Sequence, residues 1–241
     1  MQFYRRPLPI RAMSFDLDDT LYDNRPVIER LEQEMIVWLS HHHPVTATLP
    51  LSSWQQLKQD IAAENPALRH DVTLWRETQI KYGLMQLGYT ETKAEEASEA
   101  AIRQVLWLRN QVDVPDNTHR VMAELATQLP LVAITNGNVD PHKIGLGDYF
   151  QLILQAGPDG RSKPFADMFA QTAEFLAIPP AHILHIGDHL KTDVVGALGA
   201  GFQACWINDQ QRNIAAETQS RLLPHVEITR LEELLDLARP H

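Results

Sequence analysis

Residues 10–20 read Ile-Arg-Ala-Met-Ser-Phe-Asp-Leu-Asp-Asp-Thr, a short apolar run followed at once by acidic residues. The run from Ile10 to Phe15 has the length and apolar content of a buried β-strand. Asp16, Asp18 and Asp19 follow it, and three carboxylates so close together repel one another unless a cation binds them. An acidic strand end is also typical of a helix cap or a turn, so this stretch alone leaves both interpretations open.

Four later apolar runs and the helical patterns around them predict the rest of a sheet. The predicted strands are Leu131 to Thr135, Leu152 to Gln155, Ile183 to Ile186 and Gln203 to Ile207. The predicted helices are Thr118 to Leu129, Phe165 to Leu176 and Thr192 to Ala200, and a capping-box pattern at Thr229 to Glu232 opens a last helix that ends at Ala238. This alternation predicts an α/β fold with a Rossmann-like parallel sheet and helices on both faces.

The interval from about residue 22 to 114 separates the first strand from the second and contains no convincing strand. Its apolar residues repeat at helical spacing. Breaks at Pro44, Pro50, Asn65-Pro66 and Gly88 predict about four helices in this interval. We therefore expect an α/β core formed by residues 1–21 and 115–241, with an α-helical insertion over residues 22–114.

The composition restricts the partners of the chain. With 241 residues, 44% of them hydrophobic, the chain can bury a substantial core. The formal net charge of -10 disfavours nucleic acid and acidic membrane surfaces as partners, because both require a basic footprint. A small anionic substrate is compatible with this charge, since a metal ion and a few local cations can outweigh the global field.

Two features bear on the compartment. The N-terminal segment is broken by Pro7, Pro9 and Arg11 and lacks the apolar region of a signal peptide. No apolar run approaches the roughly 18 residues of a membrane span. The single cysteine, Cys205, cannot form an internal disulfide, and its apolar surroundings predict a buried side chain. We therefore predict a cytoplasmic protein without membrane segments.

Three further polar clusters lie at strand ends or helix starts. Residues 135–138, Thr-Asn-Gly-Asn, offer a hydroxyl and backbone N–H groups to an anion, although Asn-Gly is also an ordinary turn signal. Lys163 precedes Pro164 and a predicted helix, where a phosphate is favoured, although a lone lysine is normally a solvated charge. Asp188 follows an apolar run and suits a metal, whereas Asp193 alone indicates a helix cap. Because the strand ends of a parallel sheet line one crevice, we expect the clusters to meet there.

The order of the clusters resembles the haloacid dehalogenase-like (HAD) superfamily of phosphohydrolases. The four-part pattern consists of a strand with Asp16-x-Asp18-x-Thr20, a strand with Thr135-Asn136, then Lys163-Pro164, and a strand with Gly187-Asp188 and Asp193. The resemblance covers nearly the whole chain, and the helical interval falls where this family inserts an α-helical cap. Asp19 departs from the pattern, since many relatives carry glycine there, and it predicts a slightly different local turn.

The resemblance and the chemistry of the residues together imply catalytic roles. Asp16 is expected to be the nucleophile that forms an aspartyl-phosphate, which divides one difficult displacement into two easier ones. Asp18 is expected to protonate the leaving oxygen and then to deprotonate the hydrolytic water. Asp16, the backbone carbonyl of Asp18 and Asp188 are expected to hold Mg²⁺, which offsets the repulsion between the nucleophile and the phosphate.

The same resemblance implies the groups that bind the substrate. Thr135, the Asn136 amide and Lys163 are expected to bind the phosphoryl oxygens, where charge is stabilised through the transition state. Asp193 is expected to orient Lys163 or a metal-bound water. The dehalogenating relatives lack the second aspartate of the first motif, so the presence of Asp18 favours a phosphate ester over a haloacid.

Substrate choice is expected to reside in the helical cap. Candidate substrate-facing residues are Tyr22, Asn24, Trp75, Arg76, Trp107 and Arg109. For the tryptophans, packing in a helical core is the simpler interpretation.

The whole chain, including the segment Ile134 to Asn138, resembles bacterial HAD phosphatases of riboflavin biosynthesis. The resemblance implies a small phosphorylated metabolite as partner, namely 5-amino-6-(5-phospho-D-ribitylamino)uracil, and also hydrolysis of flavin mononucleotide (FMN). Alternatives are a phosphatase of another small sugar or nucleotide phosphate, or a phosphomutase or phosphotransferase, which would share all four clusters. A non-catalytic binding module is a further alternative, but it predicts a damaged cluster, and none is damaged.

Overall fold

In the computed structural model, residues 1–210, 212–216 and 222–238 are described. The chain forms two compact units, one from Met1–Asp23 together with the chain from Asp113 onward, and the other from Asn24–Val112. We call the first the α/β unit and the second the helical unit. The limits of both units lie within two residues of the predicted boundaries.

The α/β unit is built on a sheet that has seven strands within the described residues. The strands are β1 (Gln2–Phe3), β2 (Ala12–Phe15), β3 (Leu131–Thr135), β4 (Leu152–Gln155), β5 (Ile183–Gly187), β6 (Gln203–Ile207) and β7 (Val226–Ile228). Their order across the sheet is β1-β7-β6-β5-β2-β3-β4. Strands β2 to β7 pair in parallel, and β1 pairs antiparallel with β7.

The strand order places the acidic stretch at the end of an interior strand of the sheet. Strand β2 lies between β5 and β3, and all residues of these three strands are buried. Continuous burial on both faces explains why the strands are apolar runs instead of alternating ones. Strands β3 and β4 lie on one side of β2, and strands β5 to β7 lie on the other. The strand order therefore reverses at β2, and ligands of open α/β folds bind at such a switch point.

The helices divide between the two units. The helical unit contains α1 (Arg25–His42), α2 (Leu51–Glu64), α3 (Val72–Gln86) and α4 (Glu91–Arg109), and the α/β unit contains α5 (Asp116–Ala126), α6 (Asp167–Leu176), α7 (Gly196–Gly199) and α8 (Leu234–Ala238). Short 3₁₀ turns cover Pro44–Thr48, Pro66–His70, Gly147–Tyr149, Pro180–His182, Ile214–Ala216 and Leu231–Glu233, and a π-helical turn covers Leu190–Val195. No helix within the described residues has the length and hydropathy of a membrane span.

The helical unit buries its own core. Helix α4 packs against α1 and α3, and its buried Ala94 and Ala101 belong to the same apolar cluster as Leu31 and Leu84. Helix α2 packs on α3. The four helices agree with the periodicity of the apolar residues.

Several predicted elements differ from the structure at their ends. Strand β2 begins at Ala12 instead of Ile10, and α6 begins at Asp167 instead of Phe165. Strands β1 and β7 were not predicted, because two and three residues are too short for a periodic pattern. The predicted parallel sheet is therefore confirmed for the five predicted strands β2 to β6, and the structure adds a parallel β7 and an antiparallel edge strand β1.

Two predicted helix starts differ from the structure. The carboxylate that caps the last helical segment belongs to Glu233, not Glu232, and it accepts from the backbone N–H of Thr229 at 2.8 Å and of Arg230 at 3.0 Å. The predicted single helix from Thr192 to Ala200 is a π-helical turn followed by α7. Such wide turns are frequent at functional sites.

Candidate active site

Lys163 is the centre of a buried polar cluster at the strand ends of the α/β unit. Its Nζ lies 2.6 Å from Oδ1 of Asp16 and 2.7 Å from Oδ1 of Asp193. The side chains of Lys163 and Asp193 are only 1% and 2% exposed. Asp16 directly follows β2, and Asp193 lies in the π-helical turn after β5. The parallel sheet therefore brings together three residues that are up to 177 positions apart in the chain.

One ammonium group is shared by two buried carboxylates, and the pKa values reflect this. Burial lowers the pKa of Lys163, but Asp16 and Asp193 outweigh burial and raise it. Burial raises the pKa of Asp193, yet Lys163 and His185 hold the net pKa below its usual range. Burial raises the pKa of Asp16 above its usual range in spite of Lys163. A further cation would therefore stabilise the charged form of Asp16.

The carboxylates beside Asp16 have the chemistry of a Mg²⁺ site. Carboxylate oxygens of Asp16, Asp188 and Asp193 lie within 4.8 Å of one another. Oδ1 of Asp193 already contacts Lys163, and its Oδ2 accepts from the backbone N–H of His189 at 3.0 Å. Asp16 and Asp188 are therefore the side chains that fit a hard cation best, since Mg²⁺ prefers oxygen ligands.

Asp188 is held at the end of β5 through its backbone. Its carbonyl oxygen accepts from Nε1 of Trp206 at 2.7 Å and from the guanidinium of Arg212 at 2.8 Å. Burial and the charges of Asp193 and Asp19 raise the pKa of the Asp188 carboxyl group to about 7. A bound cation would reverse this shift, because it stabilises the ionised carboxylate.

The turn after β2 presents Asp18. Its Oδ1 accepts a hydrogen bond of 2.6 Å from the hydroxyl of Tyr22, and its side chain is half-buried. Thr20 donates to Oδ2 of Asp16 at 3.5 Å. Asp19 has a φ of +56°, in the left-handed region where glycine has no steric cost and Asp is among the better-tolerated residues.

Thr135 is the last residue of β3, and Asn136 follows it beside the lysine. The side-chain oxygen of Asn136 accepts from the backbone N–H of Lys163 at 2.7 Å, and its Nδ2 donates to the carbonyl of Lys163 at 3.0 Å. The side chain of Asn136 therefore holds the Lys163 segment in place. Oγ1 of Thr135 accepts from the N–H of Gly137 at 2.9 Å, which orients this hydroxyl at the strand end.

Gly187 allows Asp193 to reach the lysine. A Cβ atom built on Gly187 would lie 2.5 Å from Cβ of Asp193 and 2.6 Å from its Oδ2. Cβ atoms in proteins do not approach other heavy atoms so closely. The glycine of this motif is therefore required by the close approach of Asp193 to the end of β5.

Sequence reasoning missed two polar residues behind the cluster, Ser14 and His185. They lie side by side on β2 and β5, and both are buried. Nδ1 of His185 lies 2.9 Å from Oγ of Ser14, and Nε2 lies 3.3 Å from Oδ1 of Asp193. The available signal was a histidine inside the otherwise apolar run Ile183 to Ile186.

The tryptophans of the helical unit have different environments. Trp75 is partly buried, packs on a cluster of Leu57, Ile61 and Leu68, and donates its Nε1–H to the carbonyl of Lys58 at 2.9 Å. Trp107 is 57% exposed, so the prediction of core packing is wrong for it. The buried residues of α4 include Ala101, Val105 and Leu108, and Trp107 points away from that stripe.

The four other candidate residues lie in different environments. Arg76 forms an ion pair with Glu32. Arg109 is 2% exposed and therefore belongs to the interior of the protein. Tyr22 binds Asp18, as described above, and Asn24 is the residue before the first turn of α1.

Comparisons with known proteins agree with the fold. The family described as haloacid dehalogenase-like hydrolase matches residues 10–201. The chain is similar to the 5-amino-6-(5-phospho-D-ribitylamino)uracil phosphatase YigB of Escherichia coli, with 46% identity over 98% of this chain and 100% of the relative. It is also similar to the N-acylneuraminate-9-phosphatase of Mus musculus, with 26% identity over 93% of this chain and 92% of that protein.

Two solved structures share the fold. A structure of a 2-haloacid dehalogenase from Pseudomonas syringae has a TM-score of 0.89 and 30% identity, and the match covers 95% of this chain and 97% of the other. A putative HAD-hydrolase, YfnB from Bacillus subtilis, bound to magnesium, has a TM-score of 0.63 and 22% identity over 96% and 99% of the two chains. The family match spans well over half of the chain, and the full-length relative is a phosphatase. This chain therefore belongs to the haloacid dehalogenase-like hydrolases and is a phosphoric monoester hydrolase of that family.

Proposed function

We propose that this chain is a Mg²⁺-dependent phosphomonoesterase that acts through an aspartyl-phosphate on Asp16. The observation that carries the proposal is the Lys163 ammonium group, held between Asp16 and Asp193 at 2.6 and 2.7 Å. A buried cation beside a carboxylate at the strand ends is suited to a phosphoryl group that approaches that carboxylate.

The first step is attack of the Asp16 carboxylate on phosphorus, with cleavage of the bond between phosphorus and the ester oxygen. Asp18 gives its proton to the departing alkoxide. In the second step a water molecule loses a proton to Asp18 and attacks the same phosphorus, and the bond to Asp16 breaks. Inorganic phosphate leaves, and both aspartates return to their starting states.

The remaining residues bind the phosphoryl oxygens and the metal ion. Lys163 and the hydroxyl of Thr135 stabilise the phosphoryl oxygens, together with the backbone N–H of Asn136. Mg²⁺, held by Asp16, the carbonyl of Asp18 and Asp188, would offset the repulsion between the carboxylate and the phosphate. Asp193 orients Lys163.

The proposed substrate is 5-amino-6-(5-phospho-D-ribitylamino)uracil, with FMN as a second substrate. Support for the first comes from the relative of that name, at 46% identity over its full length. FMN is proposed from the sequence resemblance alone. The helical unit is proposed to be the cap that selects among substrates.

Haloacid dehalogenation is the second candidate, because a relative of known structure with 30% identity is described as a 2-haloacid dehalogenase. Asp18 argues against it, because the sequence resemblance implies that an aspartate at this position favours a phosphate ester over a haloacid. Its hydrogen bond of 2.6 Å with Tyr22 holds the carboxyl group in a defined position in the turn after β2.

Phosphate release from a panel of substrates tests the proposal. The panel contains the ribitylaminouracil phosphate, FMN, sugar phosphates, nucleotides and 2-chloropropionate, each with Mg²⁺ and with a chelator. We expect Mg²⁺-dependent phosphate release that is faster from the ribitylaminouracil phosphate and from FMN than from the other esters. Halide release without phosphate release would overturn the phosphatase assignment, and transfer of phosphate to an added sugar would indicate a phosphotransferase.

A further inference from the structure

His185 completes a line of buried polar groups behind the nucleophile. Along this line, Ser14 contacts His185 at 2.9 Å, His185 contacts Asp193 at 3.3 Å, Asp193 contacts Lys163 at 2.7 Å, and Lys163 contacts Asp16 at 2.6 Å. All five residues are at most 8% exposed. The parallel pairing of β2 with β5 sets Ser14 opposite His185, so the backbone register builds the first contact.

The groups on the two sides of the imidazole determine which ring nitrogen carries the hydrogen. Oδ1 of Asp193 can only accept, since the carboxylate carries its charge next to Lys163. Nε2 must therefore carry the hydrogen. In a neutral ring Nδ1 is then an acceptor, and the Ser14 hydroxyl is the donor that faces it. Burial lowers the pKa of His185, which agrees with a neutral ring.

Packing fixes the ring but does not explain why it is a histidine. The ring of Phe169 meets the imidazole edge to face, with centroids 5.0 Å apart and an interplanar angle of 85°. A leucine or phenylalanine could fill an apolar strand position equally well. A buried imidazole costs free energy unless both nitrogens find partners, and here both do.

We propose that His185 is a positioning residue for the reaction at Asp16, with its tautomer set by Asp193 and its ring held by the Ser14 hydroxyl. Nε2–H and the ammonium of Lys163 bind the same oxygen of Asp193, so the imidazole restricts the rotation of that carboxylate. The restricted carboxylate in turn directs Lys163 at Asp16. This role rests on the proposed function, because it concerns the group that faces the phosphate.

The test combines kinetics with a measurement that needs no substrate. His185→Leu removes the donor, His185→Gln retains an amide N–H at a similar reach, and Ser14→Ala removes the hydroxyl. His182→Leu serves as the matched control, because His182 is a nearby histidine whose ring contacts the backbone carbonyl of Pro9. We expect kcat to fall about 10-fold or more in His185→Leu with KM nearly unchanged, and His185→Gln to recover most of the loss.

Long-range nitrogen–proton NMR of the wild-type protein reports the tautomer directly. We expect the Nε2–H form for His185 in the wild type and also in Ser14→Ala, because Asp193 accepts from Nε2 in both proteins. An Nδ1–H ring in the wild type would overturn the proposal, as would His185→Leu with normal kcat or His185→Gln with no recovery. If the wild-type protein released no phosphate from any ester, the proposed function would fail and the positioning role with it, whereas the NMR result would still show whether the hydrogen-bonded line exists.

Discussion

The two units use charged residues in opposite ways. In the α/β unit, Asp16, Lys163 and Asp193 are buried, and Nζ of Lys163 lies less than 3 Å from a carboxylate oxygen of each aspartate. In the helical unit, Lys81 lies 3.2 Å from Glu91, and the side chain of Glu91 is 70% exposed. The same residue types therefore form a closed cluster in one unit and a solvated surface pair in the other.

The difference teaches that position, not residue type, gives these charges their effect. Buried charges interact strongly, and removal of one partner leaves the other without compensation. Exposed pairs are screened by water and salt, and most contribute little. Equal substitutions in the two units should therefore have very unequal effects.

The largest effect is expected from Asp16→Asn. The amide has nearly the same volume and can still accept from Lys163, but it is no longer a carboxylate nucleophile. We expect kcat to fall at least about 10³-fold, with an unchanged circular dichroism spectrum. Asp148→Asn, at a fully exposed carboxylate, is the control and should keep full activity. Substantial turnover by Asp16→Asn would remove Asp16 as the nucleophile.

Gly187→Ala should disrupt the buried cluster, although Gly187 itself contributes no side chain to it. The new Cβ would overlap Asp193, which must then move away from Lys163. We expect a loss of about 10- to 100-fold in kcat together with a lower melting temperature. Gly199→Ala is the matched control, since a Cβ at Gly199 would meet nothing within 4 Å. Equal behaviour of the two variants would contradict the steric argument.

Asp188→Asn should change both the metal response and the pH dependence of stability. The pKa of Asp188 is raised from 3.8 to about 7, so its charge destabilises the metal-free fold above pH 7, and this penalty disappears as the pH falls towards 4. Without Mg²⁺, we expect the variant to be more stable than the wild type at pH 8 by on the order of 1–3 kcal/mol, and by less at pH 5.

Thermal unfolding at both pH values, with and without Mg²⁺, measures these differences. Added Mg²⁺ should raise the melting temperature of the wild type at pH 8 more than that of Asp188→Asn, because binding stabilises the folded state. The variant should also need more Mg²⁺ for activity. An equal response of both proteins would show that Asp188 is not a ligand.

The smallest effect is expected from Lys81→Gln in the helical unit. The lysine pairs with exposed glutamates, so its removal should leave the melting temperature and the activity within experimental error of the wild type. Lys163→Gln is the same substitution in the buried cluster, and it should abolish most activity. A large loss of stability in Lys81→Gln would contradict the distinction between the units.

Much of the site was predictable because its motifs are local. Asp16 and Asp18 follow an apolar run, and Asp188 follows another, so their positions at strand ends could be inferred without coordinates. Longer elements were predictable for the same reason, since α1 and α4 each repeat their apolar positions over several turns. The roles of the site residues stay predictions until the variants are measured.

The remaining features depend on contacts between distant parts of the chain. The amino-acid pattern was enough to establish an α/β unit with a helical insertion, because periodicity and motif order are properties of neighbouring residues. It could not establish the pairing of β1 with β7, the use of the Asn136 side chain to hold Lys163, or the contact of His185 with Ser14 and Asp193. Each of these joins residues separated by between 8 and 225 positions, and only the folded sheet sets their distance and register.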